Sequence, residues 1–305
     1  MIAVRKVRDL TLERVEGDEA SDHISAASAL VVVRETLFVV ADDERQLGMF
    51  PLHGQARGRL VQILEGPAAA DEAERRKRKP DLESLTLLPP FEGHPHGALI
   101  TMGSGSDRDR NRAALIPLGR DDRPTGANRE VDLGPLYEAL RRDLPELNVE
   151  GAAVTDGLLH LMQRGNNGDG RNARIDLDLA ATTAALAAGK PPPPSTIRAI
   201  TFHDLGRLHG VKLCFSDAAP LPDGRIAFVC SAEDSDSHGD GPTVGSGIGV
   251  IDPNGAITSV EPVELDVKLE GLEARVEGRQ IKLLMVTDAD DPGTPSPLLE
   301  ASIPA

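Results

Sequence analysis

Four acids recur in one local setting, an acid followed by small residues and a short apolar run. They are Glu83 in Leu82-Glu83-Ser84-Leu85, Glu150 in Val149-Glu150-Gly151-Ala152, Asp217 in Ser216-Asp217-Ala218-Ala219, and Glu270 in Leu269-Glu270-Gly271-Leu272. A fifth segment, Ser25-Ala26-Ala27-Ser28-Ala29-Leu30, keeps the small residues and carries Ala26 where the acid would stand. Carboxylates gathered in one place raise one another's pKa, so four together need compensation. Three kinds are open. A hard divalent cation such as Ca²⁺ takes roughly six to eight oxygens, which makes Glu83, Glu150, Asp217 and Glu270 candidate metal ligands. Backbone N–H groups of a neighbouring segment would serve instead, and so would ion pairs with Arg164, Lys212 or Lys268 nearby in sequence. If a metal is held, its bound water is a nucleophile and Glu150 or Glu270 the general base, the chemistry of hydrolysis.

Each segment is followed by a turn, a second apolar run and a polar loop. The loops are Asp42-Asp43-Glu44, Gly103 to Arg108, Gln163 to Asn167, Ser231 to Asp236 and Thr287 to Asp291. In an antiparallel hairpin the start of one strand lies beside the end of the next, so each loop stands next to its acid. Gln163, Arg164 and Asn166 are therefore expected to orient a substrate. Ser104, Glu233 and Asp288 from the other loops, with Lys212 and Lys268, complete the expected ligand contacts.

The elements that must place these residues follow from the repeat. Positions 26, 83, 150, 217 and 270 are separated by 57, 67, 67 and 53 residues. The 25 residues before the first and the 35 after the last make one more period of 60, as in a ring closed by its own termini. Short apolar runs rich in β-branched residues, bounded by Pro, Gly, Asn and Asp, indicate antiparallel strands. In the first period they are Ser28 to Val33, Leu37 to Ala41, Gly48 to Leu52 and Arg59 to Ile63. Leu221-Pro222-Asp223-Gly224-Arg225 is a hairpin turn. Four-stranded units repeated radially make a β-propeller. The expectation is an all-β, five-bladed propeller with four antiparallel strands per blade, one domain over residues 1–305. Ala3 to Leu12 supplies the outer strand of a last blade that ends near Leu298 to Ile303. Two short helical insertions, Leu133 to Leu147 and Leu177 to Ala188, interrupt the pattern.

Composition removes other classes. The chain has 305 residues, 33 basic and 49 acidic side chains for a formal charge of −16, and two cysteines. That charge repels phosphate backbones and excludes nucleic acid as a partner. No apolar run reaches the ~18 residues of a membrane span, and the first residues lack a secretory leader, so a cytoplasmic protein is expected. Cys214 and Cys230 read as core residues. One tyrosine, six phenylalanines and no tryptophan leave few platforms for stacking sugars or bases, which favours a small polar ligand. HExxH, GxSxG and P-loop patterns are absent. Gly245-Ser246-Gly247-Ile248-Gly249 reads as the start of a strand. Asp234 to Gly241 has the oxygen density of a calcium loop without its closing Glu. Glu74 to Lys79 reads as a solvated basic loop, Gly93-His94-Pro95-His96-Gly97 as a turn away from the acids, and His160 and His209 as channel or interior histidines.

At Gln163-Arg164-Gly165-Asn166, Asp217 to Gly224 and Leu269-Glu270-Gly271 the chain resembles an uncharacterised bacterial β-propeller family, distantly similar to phytase-like and esterase-like propellers. The resemblance spans nearly the whole chain and implies a propeller with a site at the channel mouth. Phytase propellers hold phosphate with many basic residues beside clustered carboxylates, whereas this chain offers chiefly Arg164, Lys212 and Lys268. The leading expectation is a small-ligand-binding propeller with an acid-lined funnel and Ca²⁺ as its cofactor, hydrolysing an ester, lactone or phosphoester. The rival is a non-catalytic scaffold whose acids knit the blades together and whose surface binds a protein partner.

Overall fold

The computed structural model describes residues 1–13, 22–66, 79–166, 170–234, 243–288 and 291–305. The chain opens with a strand, β1 (Arg5–Asp9), and then folds sheet by sheet. The first sheet takes β2 (Ala27–Val33), β3 (Thr36–Ala41), β4 (Gln46–Pro51) and β5 (Arg59–Gln62). The second takes β6 (Leu82–Leu88), β7 (Ala98–Gly103), β8 (Arg112–Pro117) and β9 (Arg129–Asp132). The third takes β10 (Val149–Thr155), β11 (Leu158–Gln163), β12 (Asn172–Asp178) and β13 (Ile197–His203). The fourth has a two-residue strand, β14 (Arg207–Leu208), paired beside β15 (Val211–Pro220), then β16 (Ile226–Glu233), β17 (Thr243–Ile251) and β18 (Ile257–Pro262). The last takes β19 (Leu269–Glu277), β20 (Gln280–Thr287) and β21 (Pro297–Pro304), with β1 hydrogen-bonded outside β21.

Every pairing between successive strands of a sheet is antiparallel, and inner strand lies beside inner strand from β2 to β6, β10, β15, β19 and back to β2. The molecule is thus an all-β propeller of five blades with four antiparallel strands each, the fourth blade carrying β14 in addition. The alternation of apolar residues produces this. In β3 a wholly buried Leu37-Phe38-Val39-Val40-Ala41 run serves two seams. Phe38 and Val40 pack toward the second blade, while Leu37, Val39 and Ala41 pack toward the last blade and the N-terminal segment. A strand buried on both faces needs such a continuous run.

Among the described residues there are two α-helices, Gly134–Leu140 and Leu179–Ala187, both shorter than the sequence suggests. Leu177 and Asp178 stay in β12, where the Asp178 carboxylate caps the second helix at the Ala181 N–H, 2.7 Å away. Cys214 and Cys230 are free thiols in the core, and Gly245 to Gly249 lies within β17. No helix of the described residues is long and apolar enough to cross a membrane.

Candidate functional site

One irregularity recurs in all five inner strands, at the second residue of four of them and midway along β15. The pairing of inner and second strand skips one residue, a β-bulge, at Ser28, Glu83, Glu150, Ser216 and Glu270. A bulge re-aims the extra residue out of the ladder. Ser28, Glu83, Glu150 and Glu270 accordingly line one cavity of about 280 Å³ at the mouth of the central channel. The glycine after the bulge in the third and last blades has a separate cause. A Cβ on Gly151 would lie 2.7 Å from Asp217 Cα, and one on Gly271 would lie 3.0 Å from Ala29 Cα. Inner strands approach most closely there, so the acid-glycine signature joins an aimed carboxylate to a backbone contact.

This register relocates two expected positions. In the first blade the equivalent of the acids is Ser28 rather than Ala26, whose backbone instead forms a bridge with Asp288. In the fourth blade it is Ser216, whose hydroxyl bonds the Ser231 hydroxyl at 3.3 Å. Asp217, expected as a metal ligand, sits one residue beyond the bulge and outside the cavity lining. Its fully buried carboxylate accepts from the Leu272 N–H at 2.9 Å, the Ala218 N–H at 2.7 Å and the Ala152 N–H, tying the third, fourth and fifth blades together. Burial still pushes Asp217 well above the usual carboxylate range, against the pull of those three donors.

Six carboxylates and four cations line the cavity. The four cations and four of the carboxylates, with Glu233 behind the wall, are organised as two chains of alternating charge. Over the third to fifth blades Glu150 meets Arg164 at 3.4 Å, Arg164 meets Glu233 at 2.6 Å, and Lys268 reaches Glu233 at 3.4 Å and Glu270 at 2.8 Å. Over the first two blades Lys79 bridges Asp42 and Asp81, and Arg110 holds Asp81 at 3.1 Å. Ser104 donates to Asp81, and Asn148 donates to Glu150 at 2.6 Å and lies 3.5 Å from Asn166. Gln163 is spent on the backbone: it accepts from the Asn148 N–H at 2.7 Å and donates to the carbonyls of Glu146 and Arg164. Lys212 is also outside the lining, clamping the Gly165 and Gly170 carbonyls at 2.9 and 2.7 Å. Asn166 and Asp288 do line the cavity.

Glu83 stands apart from both chains. No hydrogen bond or ion pair reaches its carboxyl among the described residues. Burial, reinforced by Glu150, Asp81 and Asp42 and only partly offset by Lys79, lifts it well above the usual range. Burial likewise lifts Glu150 to about 8, with Arg164 and Lys268 pulling down and Glu270 and Asp81 pushing up. Burial alone would lower Lys79, but Asp42, Asp81 and Glu83 together hold it above its ordinary value, so it stays an ammonium ion.

Lys79, Asp81, Arg110 and Asn148 were not expected at the site, whereas Asp42 stands in a loop expected beside it. Lys79 corrects the solvated-loop reading of its segment, since it is half-buried and paired with two acids; residues 74–78 lie outside the described residues. So do residues 235–242, which hold most of the calcium-like loop. His160 faces the third blade's seam with the fourth, its Nδ1 2.7 Å from Asp176 Oδ1, and not the channel. His209 is the tip of the β14–β15 hairpin.

The chain belongs to a family of unknown function, DUF6929, which matches residues 23–303. No curated protein matches it. Among solved structures it is similar to an α-L-arabinofuranosidase from Podospora anserina in complex with cellotriose, at 12% identity over 97% of this chain and 95% of that one, TM-score 0.52. It is also similar to the catalytic domain of the Coprinopsis cinerea GH62 α-L-arabinofuranosidase, at 10% identity over 99% and 97%, TM-score 0.54. An engineered GH43 glycoside hydrolase gives 8% identity over 99% of this chain and 52% of that one, TM-score 0.51. At such identities the likeness is one of fold.

Proposed function

We propose that the funnel binds a small molecule dense in hydroxyl or amino groups and hydrolyses it by acid–base chemistry. The observation that carries this reading is Glu83, a half-buried carboxyl on the cavity wall with no hydrogen-bond or ion-pair partner among the described residues, while Lys79, Arg110, Arg164 and Lys268 are each already held by a carboxylate. An anionic ligand such as a phosphoester would have to displace those carboxylates. A ligand bringing donors finds Glu83 waiting.

The roles follow from protonation. A carboxyl lifted to about 8 keeps its proton at neutral pH and is an acid; a carboxylate held by a lysine 2.8 Å away is a base. In hydrolysis of an ester or lactone, Glu270 takes a proton from water as its oxygen bonds the acyl carbon. Glu150 gives its proton to the leaving oxygen as the C–O bond breaks. Asn148 and Arg164 orient Glu150, and Ser28, Asn166 and Asp288 offer contacts to the rest of the ligand. Ca²⁺ is the rival occupant, because Asp42, Asp81 and Glu83 converge with one oxygen of each within 4.8 Å of the others. The Lys79 ammonium already sits against two of the three.

Thermal melts with polyols, sugars, amino alcohols, phosphate and Ca²⁺ test the binding, and chromogenic esters, lactones and arabinofuranosides test the chemistry. Donor-rich ligands are expected to raise the melting temperature and phosphate to leave it unchanged. E83L, which removes the acceptor, is expected to abolish the ligand shift measured against the variant's own apo melting temperature, and E150Q to lower kcat by about 100-fold, the usual worth of a general acid. An undiminished ligand shift in E83L overturns the reading, and a shift from Ca²⁺ alone, reversed by chelator, replaces it with the metal one.

A further inference from the structure

Beyond each bulge, alternate residues of the inner strand face the next blade. At the third and fifth positions they are Val31 and Val33 in the first blade, Thr86 and Leu88 in the second, Ala153 and Thr155 in the third, and Ala219 and Leu221 in the fourth. The last blade has Glu273 and Arg275 instead. Their cross-strand neighbours continue the anomaly: Lys282 lies opposite Arg275, Ser302 opposite Lys282, and Glu300 opposite Leu284. Four seams are thus closed by uncharged residues at these positions, and the fifth is left open. Between the last and first blades lies a cleft of about 750 Å³, toward the end of the ring away from the funnel mouth. That is the size of a small-molecule site, roughly 300–1,000 Å³.

We propose that this cleft is a second binding site, for a small organic anion with an apolar body. Its wall is amphipathic. Val32, Leu52 and Leu284 offer an apolar surface, and Arg5, Arg34, Arg275 and Lys282 bring four cations. Three of these are matched by acids: Arg5 pairs with Glu300, Arg34 with Asp122 at 2.9 Å, and Arg275 with Glu277 at 2.8 Å. Lys282 is different. Its ammonium donates to Gln280 at 2.7 Å and Ser302 at 3.0 Å and meets no carboxylate among the described residues. Glu273 does not neutralise it, because its carboxyl accepts from the Val32 N–H at 2.8 Å and from the Ala274 N–H, and burial lifts it to about 7. An anion seated on Lys282, with its apolar part on Val32, Leu52 and Leu284, would fill the seam as apolar side chains do in the other four.

The probe is the aromatic sulfonate 8-anilinonaphthalene-1-sulfonate, titrated by fluorescence and displaced by decanoate or decanol. Decanoate is expected to displace it and decanol to do so far less well. K282Q removes one charge-assisted hydrogen bond and is expected to weaken the probe about tenfold without moving the melting temperature. E273V/R275V copies the first blade's valines, closes the cleft and is expected to abolish binding while raising the melting temperature. Unchanged affinity in K282Q overturns the proposal whether or not the double variant folds, and so does equal displacement by decanoate and decanol.

Discussion

Asp217 and Glu150 stand in sequence segments that look alike and do different work because of what lies opposite each. Asp217 meets three backbone N–H groups and is locked into the ring, whereas Glu150 meets Asn148 and Arg164 and keeps a face on the cavity. Protonation makes the difference measurable. A carboxyl that holds its proton more tightly in the folded than in the unfolded chain stabilises the fold below its unfolded pKa, and that stabilisation disappears as pH rises through the folded value. For Glu150 the window runs from 4.5 to about 8, and for Glu273 from 4.5 to about 7. Unfolding free energy from urea titrations is therefore expected to fall as pH rises across that range. E150Q, which has no proton to lose, is expected to flatten the slope; a stability that climbs with pH there would contradict the burial argument. Arg164 makes the complementary case. R164A leaves Glu150 to Asn148 and Glu233 to Lys268 at 3.4 Å, and is expected to cost about 1–3 kcal/mol, the penalty of buried polar groups left short of a partner.

The inner-strand bulge is the element that turns sequence into site. Its acids at Glu83, Glu150 and Glu270 were legible because bulge residue and following small residue are adjacent in sequence, and the repeat makes the pair visible. In the fourth blade the bulge residue is a serine with an acid directly after it, so Asp217 takes the place of Ser216 in any alignment by charge. A one-residue change of register exchanges the faces of a strand, and this one exchanges a funnel ligand for a blade-to-blade tie. The strands of the first blade were legible to within two residues for the same reason that they fold, since short apolar runs end at turns. Lys79 was not legible. Its neighbours in sequence are basic, and only the fold carries it to Asp42 and Asp81. The bulge also makes a stability prediction. G151A brings a methyl against Asp217 Cα, which belongs to a neighbouring inner strand and has nowhere to go. Overpacking of this kind costs about 1–3 kcal/mol, and chemical denaturation is expected to show a loss in that range.

At the scale of the molecule the ring depends on one seam that covalent order does not provide. The first and last blades are joined through β1 and the segment after it, which runs between them. Leu10 donates its N–H to the Ser296 carbonyl of the last blade and accepts from the Ile24 N–H, while Glu13 donates to the carbonyl of Gly58 in the first blade and the Gly58 N–H donates to the Thr11 carbonyl. Arg8 donates to the carbonyls of Pro51, Gly54 and Ala56 and lies 5.7 Å from the centre of the Phe50 ring. Leu10 and Leu12 are almost wholly buried. Each such leucine contributes about 1.5–3 kcal/mol, so removing residues 1–12 is expected to cost on the order of 3–6 kcal/mol from these two side chains alone. It also exposes β21 as a bare sheet edge, which other chains would pair with. The shortened chain is expected to melt lower and to elute as dimers or aggregates, with faster amide exchange in β21 and β2 than in β10 and β11. Closure by the remaining inner-strand contacts would instead leave a monomer with uniform exchange, and the ring would then be held by its axis rather than by its tail.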